Sequence, residues 1–131
     1  MSGLLLDTHL LYWWMTADRK LGKDTEALIA TAAVSVSVAS QWEMILKHGK
    51  GKLPLPDGAL AGAIEREAFQ LVPIRAEHVD AVRGLPGGLD DPFDRLLLAT
   101  AMVEGLALLT RDQAIIEFAA KRLPMVAVHK G

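Results

Sequence analysis

The sequence predicts a three-layer α/β domain, in which a mainly parallel central sheet of about five strands is flanked by helices. Short apolar segments alternate with helical patterns along the chain, as α/β domains require. The apolar segments "LLL" and "LALL" are uninterrupted, which is typical of parallel strands buried on both faces. With 131 residues and 51% hydrophobic content, the chain is long enough for one such domain, so we expect a single domain over residues 1–131.

The first half of the chain is predicted to contain three strands and three helices. "GLLLD" is a continuous apolar run, "VSVSV" alternates, and Pro73 marks the third strand as an edge or a strand end. Gly49 and Gly51 stop the second helix, and "KLPLP" interrupts the chain before the third. The predicted ranges are strands 3–7, 34–38 and 71–74, and helices 26–33, Ser40 to about His48, and about Asp57 to Gln70.

The second half is predicted to contain three helices and two strands. The loop "GLPGGLD" separates the first two helices, and Asp91-Pro92 is typical of an N-cap followed by proline at the first helical position. The predicted ranges are helices 76–83, 92–105 and 113–122, and strands 106–110 and 125–128.

Composition excludes several classes of site. The chain has no cysteine, which rules out disulfides, zinc-thiolate sites and thiol nucleophiles, and makes the cytoplasm the expected location. Asp7 and His9 interrupt the apolar N-terminal stretch, so we expect neither a signal peptide nor a membrane contact. The formal charge of −2 is not that of an obviously basic nucleic-acid binder, although bound divalent ions would offset it.

Acidic residues follow the predicted strands, where parallel sheets bind their ligands. Taken singly, each has a structural explanation: Ser40 and Glu43 fit a capping box, and Asp91 and Asp112 fit N-caps. Asp94 is surplus if Asp91 already caps the helix, and Asp7 precedes an apolar segment that needs no second charge. Convergence at one sheet edge explains the whole set, which comprises Asp7, Glu43, Asp94 and Asp112.

Carboxylates held together repel one another unless a cation neutralises them. Oxygen ligands without cysteine favour Mg²⁺ or Mn²⁺ over zinc, as one or two ions. Such a cluster is suited to phosphodiester hydrolysis, in which one metal lowers the pKa of an attacking water and a second stabilises the leaving oxygen.

Several segments together resemble the PIN-domain family, in particular VapC-like toxins of type II toxin–antitoxin systems. The segments are "LLLDTHLLYWW", "VSVASQWEMILKHGKGKLPL", "DPFDRLLLATA" and "LLTRD", in the family's order and spacing. The resemblance implies a PIN-like fold, metal-dependent endoribonuclease activity on RNA, and a cognate antitoxin that occupies the active-site groove; a homodimer is expected from it as well. The family's acidic quartet falls on Asp7, Glu43, Asp94 and Asp112, which are therefore the expected catalytic residues and metal ligands.

One position departs from the family pattern. Relatives with a "DPFDR" motif commonly carry a histidine two residues before its first aspartate, where this chain has Leu89. The departure puts substrate choice in doubt and leaves the metal ligands unchanged.

Neighbouring polar residues are candidates for supporting roles. Thr8, Ser40, Asp91 and Thr110 are positioned to orient the metal ligands, although threonine at a strand end is also ordinary. Lys47, Arg95 and Arg111 are candidate RNA contacts, while Lys47 also has the spacing of a helix pair with Glu43. Lys50 and Lys52 are interpreted as a solvated face, and His9 as a hydrogen-bonded histidine rather than a ligand.

The segment "LLYWWM" is apolar around its whole circumference if helical. We therefore expect Trp13 or Trp14 to contact an antitoxin helix or a second subunit, with complete burial as the alternative.

Two other functions compete with the nuclease. A phosphatase of the haloacid dehalogenase type also follows its first strand with aspartate, but it needs a second aspartate two positions later, where His9 stands. A non-catalytic module that binds a basic partner segment in the acidic pocket is the remaining alternative.

Overall fold

Five parallel strands form the centre of the molecule in a computed structural model that describes residues 3–51, 55, 58–124 and 126–129. The strand order is β3-β2-β1-β4-β5, and every adjacent pair is parallel. The strands are β1 Leu4–Leu6, β2 Val34–Ser37, β3 Gln70–Val72, β4 Ala107–Leu109 and β5 Val128–His129.

Seven α-helices in the described residues complete the three layers. They are α1 Thr8–Met15, α2 Lys23–Thr31, α3 Val38–Gly49, α4 Leu60–Arg66, α5 Ala76–Arg83, α6 Pro92–Glu104 and α7 Gln113–Arg122, with a short 3-10 turn at Arg19–Leu21. Leu4 and Leu6 of β1 point into one core with residues of α1 to α4, whereas Leu5 points into another with residues of α6 and α7. Successive strand residues alternate between faces, so the sheet is covered on both sides, as the uninterrupted apolar runs predicted.

The predicted fold class is confirmed, with differences at the element ends. Gln70–Val72 is an edge strand that ends before Pro73, in agreement with the limit set by that residue. The last strand was predicted over 125–128 but is formed by Val128–His129; Met125 lies outside the described residues. Most of "KLPLP", with Lys52 and Asp57, also lies outside them.

The prediction of a capping box at Ser40 and Glu43 was wrong. β2 ends at Ser37, whose side chain accepts a hydrogen bond from the amide of Ala39 and so caps α3. Helix α3 therefore begins at Val38, and Ser40 lies inside it. The earlier helix start places Glu43 in the second turn, where its side chain is not needed for capping.

None of the described helices combines the length and hydropathy needed to cross a bilayer.

Candidate metal centre

Five carboxylates line one cavity of about 60 Å³ at the carboxyl edge of the sheet, and four of them are the predicted quartet. Asp7 follows β1, Glu43 lies in α3 after β2, and Asp112 follows β4. The fourth, Asp94, lies in the first turn of α6. The remaining lining residues are Thr8, His9, Lys47, Asp91 and Ile115.

Asp7 is buried and held at both carboxylate oxygens. Its Oδ1 accepts a hydrogen bond of 2.8 Å from the amide of Leu10, and so Asp7 caps α1. Its Oδ2 accepts a hydrogen bond from the hydroxyl of Thr110 at the end of β4. Burial nevertheless raises the pKa of Asp7 above its ordinary value, because these hydrogen bonds only partly replace water.

Asp94 shows the strongest electrostatic effect of the cluster. Burial, together with the negative charges of Asp91, Asp112, Glu43 and Asp7, raises the pKa of Asp94 to about 7. The carboxylates are therefore close enough to repel one another. A divalent cation among them would remove this penalty.

Asp112 and Asp91 each cap a helix and also line the cavity. Asp112 accepts hydrogen bonds from the amides of Ala114 and Ile115 at the start of α7. Asp91 accepts from those of Phe93 and Asp94 at the start of α6. Because a carboxylate has about four lone-pair positions, two amide bonds leave room for a further ligand. The two N-caps predicted from sequence are thus present in residues that also line the cavity.

Threonine and serine hydroxyls surround the acids. Thr110 donates to Asp7 and accepts a hydrogen bond of 3.0 Å from the amide of Asp112, so that one hydroxyl connects two acids. Thr8 donates to the hydroxyl of Ser40 across 3.1 Å, which ties α1 to α3 beside Glu43. The geometry agrees with the orienting roles expected of these residues, and their effect on a metal remains a prediction.

The three candidate RNA contacts already have intramolecular partners. Lys47 Nζ lies 3.3 Å from Oε2 of Glu43, as the helix spacing predicted. Arg95 donates to the carbonyls of Leu85, Pro86 and Leu89, and Arg111 to those of Lys20 and Leu21 and to the hydroxyl of Thr25. The two arginines thus brace loops, and RNA contact by them would compete with these hydrogen bonds.

Leu89, the residue at the departure from the family pattern, is buried in the core between the sheet and α6. Its carbonyl accepts a 2.9 Å hydrogen bond from Arg95. The side chain therefore packs inside the domain and does not line the acidic cavity.

A second hollow of about 210 Å³ adjoins the acidic cavity and shares Asp7, His9 and Asp112 with it. It extends to Trp13, over which the Arg111 guanidinium lies 5.7 Å from the ring centroid. Trp14 instead packs against Phe69 and donates its indole N–H to Glu67. Both tryptophans are only partly buried, so the complete burial considered as an alternative is not found.

Sequence reasoning missed the exposed apolar surface of α3. Trp42, Ile45 and Leu46 are exposed at positions i, i+3 and i+4 of the helix. That spacing marks one helix face, and it was available in the sequence once α3 was placed.

A further cluster lies outside the sheet edge and comprises Glu77, His78 and Glu104. The buried His78 accepts a hydrogen bond at Nδ1 from the amide of Arg75 and contacts Glu104 Oε2 through Nε2 at 2.7 Å. An amide can only donate, so Nδ1 carries no proton and Nε2 carries one. A protonated Nε2 cannot bind a metal, and the cluster braces α5 against α6 instead.

Comparisons with known proteins identify the family and the fold. The PIN domain family model matches residues 4–121. Ribonuclease VapC22 of Mycobacterium tuberculosis is 29% identical over 118 residues, which cover 88% of this chain and 91% of that protein. Two solved structures share the fold: VapBC2 from Rickettsia felis bound to a promoter DNA fragment (TM-score 0.67, 16% identity, 96% of both chains) and DNA-bound VapBC from Salmonella typhimurium (0.66, 17%, 98% of both).

Proposed function

The chain belongs to the PIN domain family, and on this premise we propose that it is a metal-dependent endoribonuclease that acts as the toxin of a type II toxin–antitoxin pair. The observation that carries the proposal is the cavity lined by Asp7, Glu43, Asp94 and Asp112. The relative named as a ribonuclease matches most of the chain and supports RNA as the substrate.

The four carboxylates fit a hard divalent cation. All four offer oxygen, burial and repulsion between carboxylates raise the pKa of Asp94, and the chain has no cysteine that would favour a softer metal. Mg²⁺ or Mn²⁺, as one or two ions, is the proposed cofactor. When bound, it would lower the pKa of an attacking water and neutralise charge on the phosphate.

Groups of the protein hold the carboxylates in position and accept a proton. Thr110 and the amide of Leu10 fix the Asp7 carboxylate, and the amides at the start of α7 fix Asp112. The attacking water must release a proton, and a carboxylate that lines the cavity is placed to accept it.

An antitoxin is the proposed protein partner. One solved structure of similar fold is a toxin–antitoxin complex from Klebsiella pneumoniae (TM-score 0.59, 20% identity, 83% of this chain and 86% of that chain). The hollow beside the acids, which reaches Trp13, is the proposed antitoxin contact on α1. Trp14 is retained as a candidate beside it, and a homodimer remains an expectation from the family.

RNA cleavage by the purified, antitoxin-free protein tests the proposal. The substrate is a mixed pool of structured RNAs, incubated with Mg²⁺, Mn²⁺ or EDTA. We expect metal-dependent cleavage that EDTA abolishes and that Asp94→Asn reduces at least 100-fold. Absence of cleavage with the metal bound and the fold intact would instead favour a non-catalytic module that holds a basic partner segment in the acidic cavity.

A further inference from the structure

Trp42 is 54% exposed, although tryptophan is on average a well-buried residue. Its ring packs edge-on with that of Phe93, with centroids 5.1 Å apart and planes inclined by 66°. Such a contact occupies one face of one ring only, so the pair leaves aromatic surface accessible.

The aromatic pair spans the same two helices that carry two of the acids. Trp42 directly precedes Glu43 on α3, and Phe93 directly precedes Asp94 on α6. Successive residues of a helix are rotated by about 100°, so each ring lies beside its neighbouring carboxylate rather than behind it. The aromatic pair therefore lies next to two of the acids along the helices, outside the lining of the cavity itself.

Two cations beside the acids already have partners within the protein. Lys47, the lysine lining the cavity, is paired with Glu43, and Arg95 is hydrogen-bonded to three carbonyls. Proteins that bind single-stranded RNA commonly combine cations with aromatic side chains on which unpaired bases stack.

We propose that Trp42, fixed by Phe93, is a stacking platform for an unpaired base next to the scissile phosphate. The proposal rests on the nuclease function proposed above and adds the way in which the enzyme holds its substrate. It makes Trp42 a substrate-positioning residue, and it implies that the cleaved segment is single-stranded.

A protein partner is the competing occupant, because Ile45 and Leu46 continue the apolar surface along α3. Ile45 is two residues from Glu43 and so points to nearly the opposite side of the helix, away from the acids. Phe93, in contrast, belongs to another helix and adjoins Asp94. Leu46, three residues after Glu43, stays on the side of the acids one turn further along α3. Ile45 is therefore the residue suited to a separate protein contact, whereas Trp42 and Phe93 each directly precede an acid.

Abasic scanning tests the proposal. A single-stranded RNA that the wild-type protein cleaves is prepared as a series, each member lacking one base near the cleavage site. Cleavage kinetics are measured for the wild type, Trp42→Ala, Trp42→Phe and Ile45→Ala, the last as a control that removes exposed apolar surface from the same helix. Circular dichroism verifies that each variant is folded.

We expect one abasic position to raise the wild-type KM about 5- to 20-fold, which is the lower part of the range for loss of a base stack. Trp42→Ala should show the same loss with intact RNA and no additional loss at that position. Trp42→Phe should retain most of the affinity, and Ile45→Ala should match the wild type.

Three outcomes would overturn the proposal. Additive losses from Trp42→Ala and the abasic site would show that the ring and the base do not meet. Normal cleavage by Trp42→Ala with lost antitoxin inhibition would assign the ring to a protein partner. If the wild type cleaves no RNA, the nuclease function itself fails and the platform with it, a result distinct from cleavage that is insensitive to position 42.

Discussion

The hydroxyl of Thr110 at the end of β4 donates a hydrogen bond to Oδ2 of Asp7 at the end of β1. The two residues are 103 positions apart in the chain, and the parallel pairing of β1 with β4 brings them together. The same hydroxyl accepts a hydrogen bond from the backbone amide of Asp112. One side chain therefore holds the carboxylate of one proposed ligand and the backbone of another.

Replacement of Thr110 by valine should weaken metal binding. Valine keeps the shape and removes the hydroxyl, so Asp7 loses an acceptor interaction that lowers its pKa. Loss of an outer hydrogen bond of this kind reduces metal affinity about 10- to 100-fold. Isothermal titration with Mn²⁺ measures the change. Thr110→Ser is the matched control and should bind nearly as the wild type; equal affinity of all three proteins would refute the orienting role.

Asp94→Asn should stabilise the metal-free protein at high pH. The pKa of Asp94 in the folded state is about 7, above its ordinary value of 3.8, so the folded state binds the extra proton between those pH values. The resulting stabilisation is fully present below about pH 4 and is lost as the pH rises through 7. Asp94 is partly exposed, so solvent reduces the effect. The stabilisation lost between pH 5 and 8 is on the order of 1 to 2 kcal/mol.

Thermal unfolding in EDTA at pH 5 and pH 8 measures this effect. The Tm advantage of Asp94→Asn over the wild type should be larger at pH 8 by a few degrees. Mg²⁺ should raise the wild-type Tm more at pH 8 than at pH 5. If the Tm difference between Asp94→Asn and the wild type does not change with pH, the proposed repulsion among the carboxylates is contradicted.

Arg95→Lys should destabilise the protein although it preserves the charge. The guanidinium holds three carbonyls of the loop before α6, and an ammonium cannot reproduce that planar arrangement of donors. We expect a loss of about 2 to 3 kcal/mol in the free energy of unfolding by urea. If Arg95 instead served mainly as a phosphate contact, Arg95→Lys would keep its stability and most of its RNA affinity.

The sequence predicted the acids because their position is local: each follows a strand or begins a helix, and parallel strands end at one sheet edge. Asp7 and Asp112 cap helices as well, so the structural and functional explanations were not exclusive. The capping box at Ser40 failed because Ser37, one of two serines in β2, caps α3 earlier than expected.

The hydrogen-bond partners of the arginines could not be predicted from the sequence. The acceptors of Arg111 are carbonyls at Lys20 and Leu21, about 90 positions away, in an irregular turn. Carbonyls carry no sequence signature, so an arginine beside an acid was interpreted as a phosphate contact. The exposed side of α3 was missed for another reason. Only Glu43 was considered in this helix, although the spacing of Trp42, Ile45 and Leu46 indicates a shared apolar face.

Mn²⁺ binding to four single variants tests the central claim, that Asp7, Glu43, Asp94 and Asp112 form one metal centre. The variants are Asp7→Asn, Glu43→Gln, Asp94→Asn and Asp112→Asn, with Asp90→Asn, an exposed residue outside the cavity, as the control. The account predicts that each of the four weakens Mn²⁺ binding at least 10-fold in a folded protein and that the control binds as the wild type. Wild-type affinity in all four variants would contradict it.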